Sequence, residues 1–375
     1  MANTELNGAD EAVVGPIREA LKAAEKSRSV RFSASEAAPP SSELPSLVGS
    51  AGKMVVVNAT ADGLEFADVP SGGGGGLTHF TEEINSSSPN ATVTVASLTA
   101  TDAATNVDLV LSPKGTGAIM ARVPNGTSSG GDKRGAQAID FSRGGSFSNR
   151  VASGYRSAIL SGYNLQAAGN YSIAVGGVSH FVTGDFAVVL GGDGNTVAGA
   201  YGVAWGKDNT ASGDHSVAIG ENAHTRGIRG GLARSAGKFS INGDAQTTSW
   251  VLRRQSTSAT PVGLSAGNAA SSLSSVPVLP GNSAFKFRGI VIAKQTTGDV
   301  KSWDISGTIK RGTTAADTAL VGTPAVVSTD ADVGAAAWTV AVTANTTLGS
   351  LEITATGEAS KTIRWVCYLE SVEVQ

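Results

Sequence analysis

A mainly β chain organised around a parallel β-solenoid is what this sequence predicts, and three observations carry the prediction. A short apolar motif closing on glycine returns every 14–15 residues between positions 156 and 228. Glycine supplies 48 of the 375 residues, close to twice the usual share of ~7%, while charged residues reach only 16%. Helical periodicity is confined to one stretch near the N-terminus. Apolar residues make up 41% of the chain and aromatic ones 5%, so the expected cores are narrow and filled by Val, Ile, Leu and Ala.

In chain order, Ile17, Leu21 and Ala24 recur at helical spacing behind Pro16, which suits a first turn. So short a helix needs a partner surface. Residues 1–50 are therefore expected to hold a docking helix and, from position 33, a Ser/Ala/Pro-rich linker containing Pro39, Pro40 and Pro45. Residues 51–76 hold a short β unit, 54–57 and 64–66 about an Ala61-Asp62-Gly63 turn, then five consecutive glycines at 72–76. No Lys-Ser/Thr follows those glycines, so they form a hinge and not a phosphate loop. Residues 77–132 continue as β-rich segments at 91–98, 107–111 and 118–123.

Residues 133–228 contain the repeat. Its copies are Ser172-Ile173-Ala174-Val175-Gly176, Ala187-Val188-Val189-Leu190-Gly191, Gly202-Val203-Ala204-Trp205-Gly206 and Ser216-Val217-Ala218-Ile219-Gly220. An earlier copy, Ser157-Ala158-Ile159-Leu160-Ser161, carries serine for glycine. A second glycine keeps the beat at Gly169, Gly184, Gly199, Gly213 and Gly227. Fourteen to fifteen residues are too few for a helical repeat and suit one coil of a narrow solenoid, with coils ~4.8 Å apart. Gly176, Gly191, Gly206, Gly220, Gly184, Gly199 and Gly213 are the expected corners. The apolar triplets imply a strand buried on both faces. One face fills the coil. The other is expected to meet further copies of the chain in a homotrimer, and Ile173, Val175, Val188, Leu190, Val203, Trp205, Val217 and Ile219 are the expected interface and core residues of the repeat.

The Ser216–Gly220 pattern resembles the head repeat of trimeric autotransporter adhesins, which implies a trimeric left-handed parallel β-roll. The signal peptide and membrane barrel of those adhesins are not expected here. The layout as a whole is similar to bacteriophage tail fibre and baseplate-attached fibre proteins. That likeness rests on the N-terminal helix and linker, Gly52-Lys53-Met54-Val55-Val56-Val57, the glycine run, the Val107–Gly117 segment, and the 239–254 and C-terminal blocks. It implies a virion protein made in the host cytoplasm. Its N-terminus would dock on baseplate or tail proteins, and its C-terminus would contact a host-surface glycan or protein.

Residues 229–282 open on cations (Arg229, Arg234, Lys238, Arg253, Arg254, with Arg226 just before) and end in a Ser/Thr/Ala/Gly-rich stretch. They read as a neck and linker, with nucleic-acid or glycan binding as the rival reading. Residues 283–375 alternate apolar and polar positions at 285–293, 301–310, 325–328, 338–343, 351–356 and 362–374, as in a small β-sandwich or jelly roll. Trp303, Trp338 and Trp365 lie in those strands and are expected in the core. Turn residues Gln295, Thr297, Asp299, Lys301, Asn345 and Thr346 are the expected receptor contacts at this distal tip.

Little chemistry is legible. The net charge of −3 opposes nucleic-acid binding, and no apolar run is long enough to cross a bilayer as a helix. The lone Cys367 excludes a disulfide framework. His79, His180, His215 and His224 lack zinc-site spacing, and no cofactor or metal is expected. Asp193 and Asp208, one repeat apart, would stack about 5 Å apart, a separation seen in retaining glycosidases, yet Asp is also an ordinary turn former at such corners. The expectation is a non-enzymatic, homotrimeric tail fibre or spike protein that adheres to the host. A tailspike-like glycan depolymerase and a bacterial surface adhesin are the alternatives.

Overall fold

The computed structural model describes residues 53–57, 64–68, 80–85, 95–100, 106–296 and 298–375. The expected N-terminal helix, the linker and the glycine run lie outside these residues. The chain divides into two units, Met1–Leu109 and Val110–Gln375. The first contains two antiparallel pairs, Lys53–Val57 with Leu64–Asp68 and Phe80–Asn85 with Val95–Ala100.

The second unit is mainly β, with two short 3-10 turns and no α-helix among the described residues. A parallel β-solenoid of about seven turns makes its first half. One wall stacks Ile119–Met120, Ile139–Asp140, Ala158–Ile159, Ile173–Ala174, Val188–Asp193, Val203–Lys207, Val217–Glu221 and Leu232–Ala236 in parallel register. The opposite wall stacks Gln166–Ala167, Phe181–Val182, Thr196–Val197 and Thr210–Ala211. Between them lies a core one side chain deep: Ile159, Ala174, Val189, Ala204 and Ala218 from the first wall meet Ala167, Val182, Val197 and Ala211 from the second. So thin a core has no room for aromatic rings, which explains their scarcity.

A polar column runs along this core. Asn195 Nδ2 donates to the carbonyls of Gly191 and Gly206 at 3.0 and 2.7 Å, and Asn209 Nδ2 donates to those of Trp205 and Gly220 at 2.9 and 2.7 Å. Each asparagine therefore pins the wide bend of its own coil to the next. At the start of the solenoid Arg134 and Asp140 form a wholly buried pair, Nε to Oδ2 at 2.7 Å. Asp140 also accepts from the Ser142 amide and hydroxyl at 2.9 and 2.6 Å. A buried carboxylate so fully bonded is stable where an unpaired one would not be.

The bend itself falls on Gly162, Gly177, Gly192, Gly206 and Gly220, all with φ between 96° and 106°. A Cβ on Gly206 would lie 2.0 Å from the Gly220 carbonyl oxygen, so no other residue fits between coils there. In its coil Gly177, and not Gly176 one position earlier, takes this bend. The 14-residue step arises from a register shift between Val189 and Gly192.

Leu232–Ala236 also pairs antiparallel with Ala245–Ser256. The first wall thus passes without a break into an antiparallel sheet of Ala245–Ser256, Ile363–Val374, Ser283–Gln295 and Val300–Arg311, followed by Ala319–Leu320 and Ala325–Ala331. A three-stranded sheet of Val262–Gly263, Ser350–Thr356 and Thr339–Asn345 faces it. Trp250, Phe285, Phe287, Trp303, Trp338, Trp365 and Leu369 form the core between them, with Leu264 and Leu279 from the Ser/Gly-rich stretch. At the junction Arg226 pairs with the buried Glu373 and bonds the Gly243 carbonyl, and Gln246 Nε2 donates to Glu373 at 2.8 Å.

Candidate binding surface

Alternation within each solenoid strand sends one side chain in and its neighbours out. In the triplets Ile173-Ala174-Val175, Val188-Val189-Leu190, Val203-Ala204-Trp205 and Val217-Ala218-Ile219 the middle residue is fully buried. The flanking ones point away from the coil and are only half covered or exposed. Leu190 is 51% exposed and Trp205 39%. Phe141, Leu160 and Leu232 extend the same outer columns.

An edge of stacked planar groups borders this wall. Tyr171, Phe186, Tyr201 and His215 stack with centroids 4.8–4.9 Å apart. Arg156 joins the end of the column, its guanidinium 5.9 Å from the Tyr171 ring centre and its Nε donating to Gln137 Oε1 at 2.6 Å. All six residues adopt left-handed backbone, φ 52–59°, which turns each side chain outward at the corner.

The same outward face continues onto the antiparallel sheet, where Leu232 is followed in register by Ser249, Glu370 and Arg288 and the apolar rows lie further along the strands. Val251, Tyr368 and Ile290 form one outward row and Val366 and Ile292 the next, all of them exposed, Ile290 by 58%. Arg288 and Glu370 pair beside them, and that contact holds the Glu370 carboxyl below its ordinary range.

The expected receptor contacts do not assemble into one site. The 295–301 hairpin closes one end of the long strands, at the Lys294–Val300 pair, whereas Asn345 and Thr346 lie at the other end, where Gly349 abuts Arg311 and Ser283 pairs with Arg311. Lys301 is buried and donates to the Ala336 and Trp338 carbonyls at 3.1 and 2.8 Å. Asn345 Oδ1 accepts the Thr347 and Leu348 amides, both at 3.0 Å, as a turn former. The Gln295 amide closes its hairpin on the Asp299 carbonyl at 2.9 Å. Thr297 lies outside the described residues.

Asp193 and Asp208 are not equivalent rungs, because the 14-residue step places Lys207 opposite Asp193. A charged column Asp193, Lys207, Glu221 results, with Lys207 Nζ 3.2 Å from Glu221 Oε1, and the Glu221 hydrogen bond holds the ammonium above its ordinary range. Asp208 occupies the left-handed turn position next to it, φ 53°. Among the described residues no cluster of three or more His, Cys, Asp or Glu side chains is arranged to hold a metal.

No protein-family model and no curated protein matches the chain. Among solved structures it is similar to the tailspike protein gp49 of Acinetobacter baumannii bacteriophage Fri1, a capsular polysaccharide depolymerase. Identity is 8%, with 68% of this chain and 44% of that one covered, at a TM-score of 0.21. It is also similar to the tailspike protein of Acinetobacter phage vB_ApiP_P1, at 11% identity, 64% and 54% coverage and a TM-score of 0.20. The chain spans about half the length of each, and TM-scores this low fall short of a shared fold. The expectation of a non-enzyme is corrected by this comparison. The first of these tailspike proteins is a capsular polysaccharide depolymerase.

Proposed function

We propose that the chain is a subunit of a homotrimeric bacteriophage tail fibre or tailspike that engages the surface polysaccharide of a bacterial host. The apolar wall carries this reading. Its outward columns run from Phe141 through Leu160, Val175, Leu190 and Trp205 to Ile219, and from Ile173 through Val188, Val203 and Val217 to Leu232, with one coil's rise between rungs. A regular column of that length is covered without gaps only by a partner of equal rung spacing, which a second copy of the solenoid supplies. In a ring about an axis parallel to the solenoid, the wall of each chain meets the ladder-bearing edge of the next, and three chains close the ring. Each half-covered Val or Leu so buried contributes about 1 kcal/mol, a fraction of the full transfer of its side chain from water. The apolar rows of the antiparallel sheet extend the same seam.

The sequence resemblance to tail fibres supports placing this trimer in the virion, with the N-terminal segment on a baseplate or tail protein. Three parallel chains then present three C-terminal domains to one surface, and avidity multiplies weak single contacts. In the tailspike form of this reading the same chain also cleaves the polysaccharide, with the solvent-facing carboxylates Asp193 and Asp208 as the residues to test.

Adsorption competition tests the proposal. Purified protein added to host cells is expected to block attachment of the phage that encodes it, and unimpeded attachment would contradict the reading. The tailspike form further predicts release of reducing ends from host capsular polysaccharide, lost in an Asp193→Asn or Asp208→Asn chain.

A further inference from the structure

The solenoid's second wall faces away from the apolar one, because both walls point their inner side chains into the same core. Where this second wall meets the C-terminal domain there is a cleft of about 660 Å³. Ser212 and His224 come from the solenoid, Arg226 from its last turn, Asn242 and Leu273 from the connecting segments, and Arg311 from the end of the 300–311 strand.

Its chemistry is one-sided. Arg226 and Arg311 line the cleft together with His224, whose pKa burial and the Arg226 charge lower, and with Gln375, and no Asp or Glu side chain does, in a chain whose net charge is −3. The nearby carboxylates are directed elsewhere. Glu373 is buried beneath Arg226 as its ion-pair partner. Asp244 is occupied by the Phe239, Ser240 and Ile241 amides at 2.6–2.9 Å. Asp317 feels the charge of Arg311 but is spent on the Thr314 amide and hydroxyl at 2.8 and 2.9 Å. Arg311 makes one hydrogen bond, Nη1 to the Leu279 carbonyl at 2.6 Å, while its buried Nε donates to nothing. Leu273, 61% exposed, and Ile241 supply apolar surface beside these donors. The guanidinium of Arg311, without an ion-pair partner among the described residues, together with hydroxyl and amide groups and an apolar face, is what a sugar ring bearing a carboxylate requires.

We propose that this cleft binds an acidic sugar residue, a uronic or sialic type of carboxylated pyranose, within the host polysaccharide. This rests on the tail-protein reading and gives it a site and a substrate class. The site stays open when the apolar wall is covered, since the two lie on opposite sides of the solenoid.

The test uses the full chain and two defined probes in calorimetry: an oligosaccharide of alternating glucuronic acid and N-acetylglucosamine, and a neutral gluco-oligosaccharide of equal length. The acidic probe is expected to bind at least tenfold more tightly. Leu273 is exposed and makes no polar contact, so its substitution spares the fold. Leu273→Glu is expected to weaken the acidic probe tenfold or more, and Leu273→Lys to preserve its binding. Equal affinity for both probes, or unchanged binding by Leu273→Glu, overturns the proposal. If neither probe binds while the wild-type protein still blocks adsorption, the cleft assignment falls and the tail-protein reading stands. If adsorption is also unaffected, both fall.

Discussion

Tyr171 and Phe186 stack with ring centroids 4.8 Å apart and planes within 3° of parallel, although both occupy left-handed backbone at φ 58° and 57°. Such a conformation costs a residue with a Cβ about 1–2 kcal/mol, and two ring stacks return about 1–3 kcal/mol. The corner therefore holds because the repeat aligns a planar side chain above and below each ring.

This balance inverts the usual order of two substitutions at Phe186. Phe186→Ala loses both stacks and keeps the strain, whereas Phe186→Gly loses the stacks but removes the strain. Chemical denaturation is expected to rank alanine below glycine by about 1 kcal/mol. Equal stability, or alanine the more stable, would show that the backbone there is not strained.

His180 occupies the rung below Asn195 in the inner column and is fully buried. Its Nδ1 accepts the Asn195 amide at 3.1 Å, and its Nε2 completes no hydrogen bond. Burial lowers its pKa, against the opposing pull of Asp193 and the Gly176 and Gly192 carbonyls. The unfolded chain thus takes up the proton first. The stabilising contribution of neutral His180 is complete above the unfolded value near 6.5 and is lost progressively as pH falls below it. His180→Asn, which reproduces the neighbouring rungs, is expected to flatten the stability profile between pH 7 and 5. A profile unchanged by that substitution would assign the acid sensitivity elsewhere.

Asn209 satisfies two carbonyls with one amide group, and its Oδ1 accepts the Ala223 amide at 2.8 Å. Asn209→Ala leaves buried backbone groups unpaired, at a cost of at least about 2 kcal/mol. Asn209→Asp sets a carboxylate against those carbonyls and is expected to cost more. A midpoint shift smaller for aspartate than for alanine would contradict this geometry.

Cys367 lies in the core of the C-terminal domain, and burial pushes its thiol up to about 12. Iodoacetamide at pH 8 is expected to leave it unmodified in the native protein and to label it fully in denaturant. Fast labelling of the folded chain would place that strand outside the core.

The solenoid was legible in the sequence because one coil is one repeat, and the alternation around Ala174, Val189 and Ala204 states which side chains turn inward. The long strands at 283–295, 300–311 and 363–374 were legible from their two-residue alternation. The coils built on Ile119 and Ile139 were hidden, because the spacing there lengthens and the Arg134–Asp140 pair replaces an apolar core. The cleft could not be read at all. Its residues, from Ser212 to Arg311, share no motif and meet only through the junction that Arg226 and Glu373 hold together.

Native mass spectrometry measures directly whether further copies of the chain cover the apolar wall. The protein is expected at three times its 37.5 kDa chain mass, with Leu190→Glu shifting it toward single chains. A folded wild-type protein at 37.5 kDa, its wall of Val175, Leu190 and Trp205 open to water, would contradict the trimer.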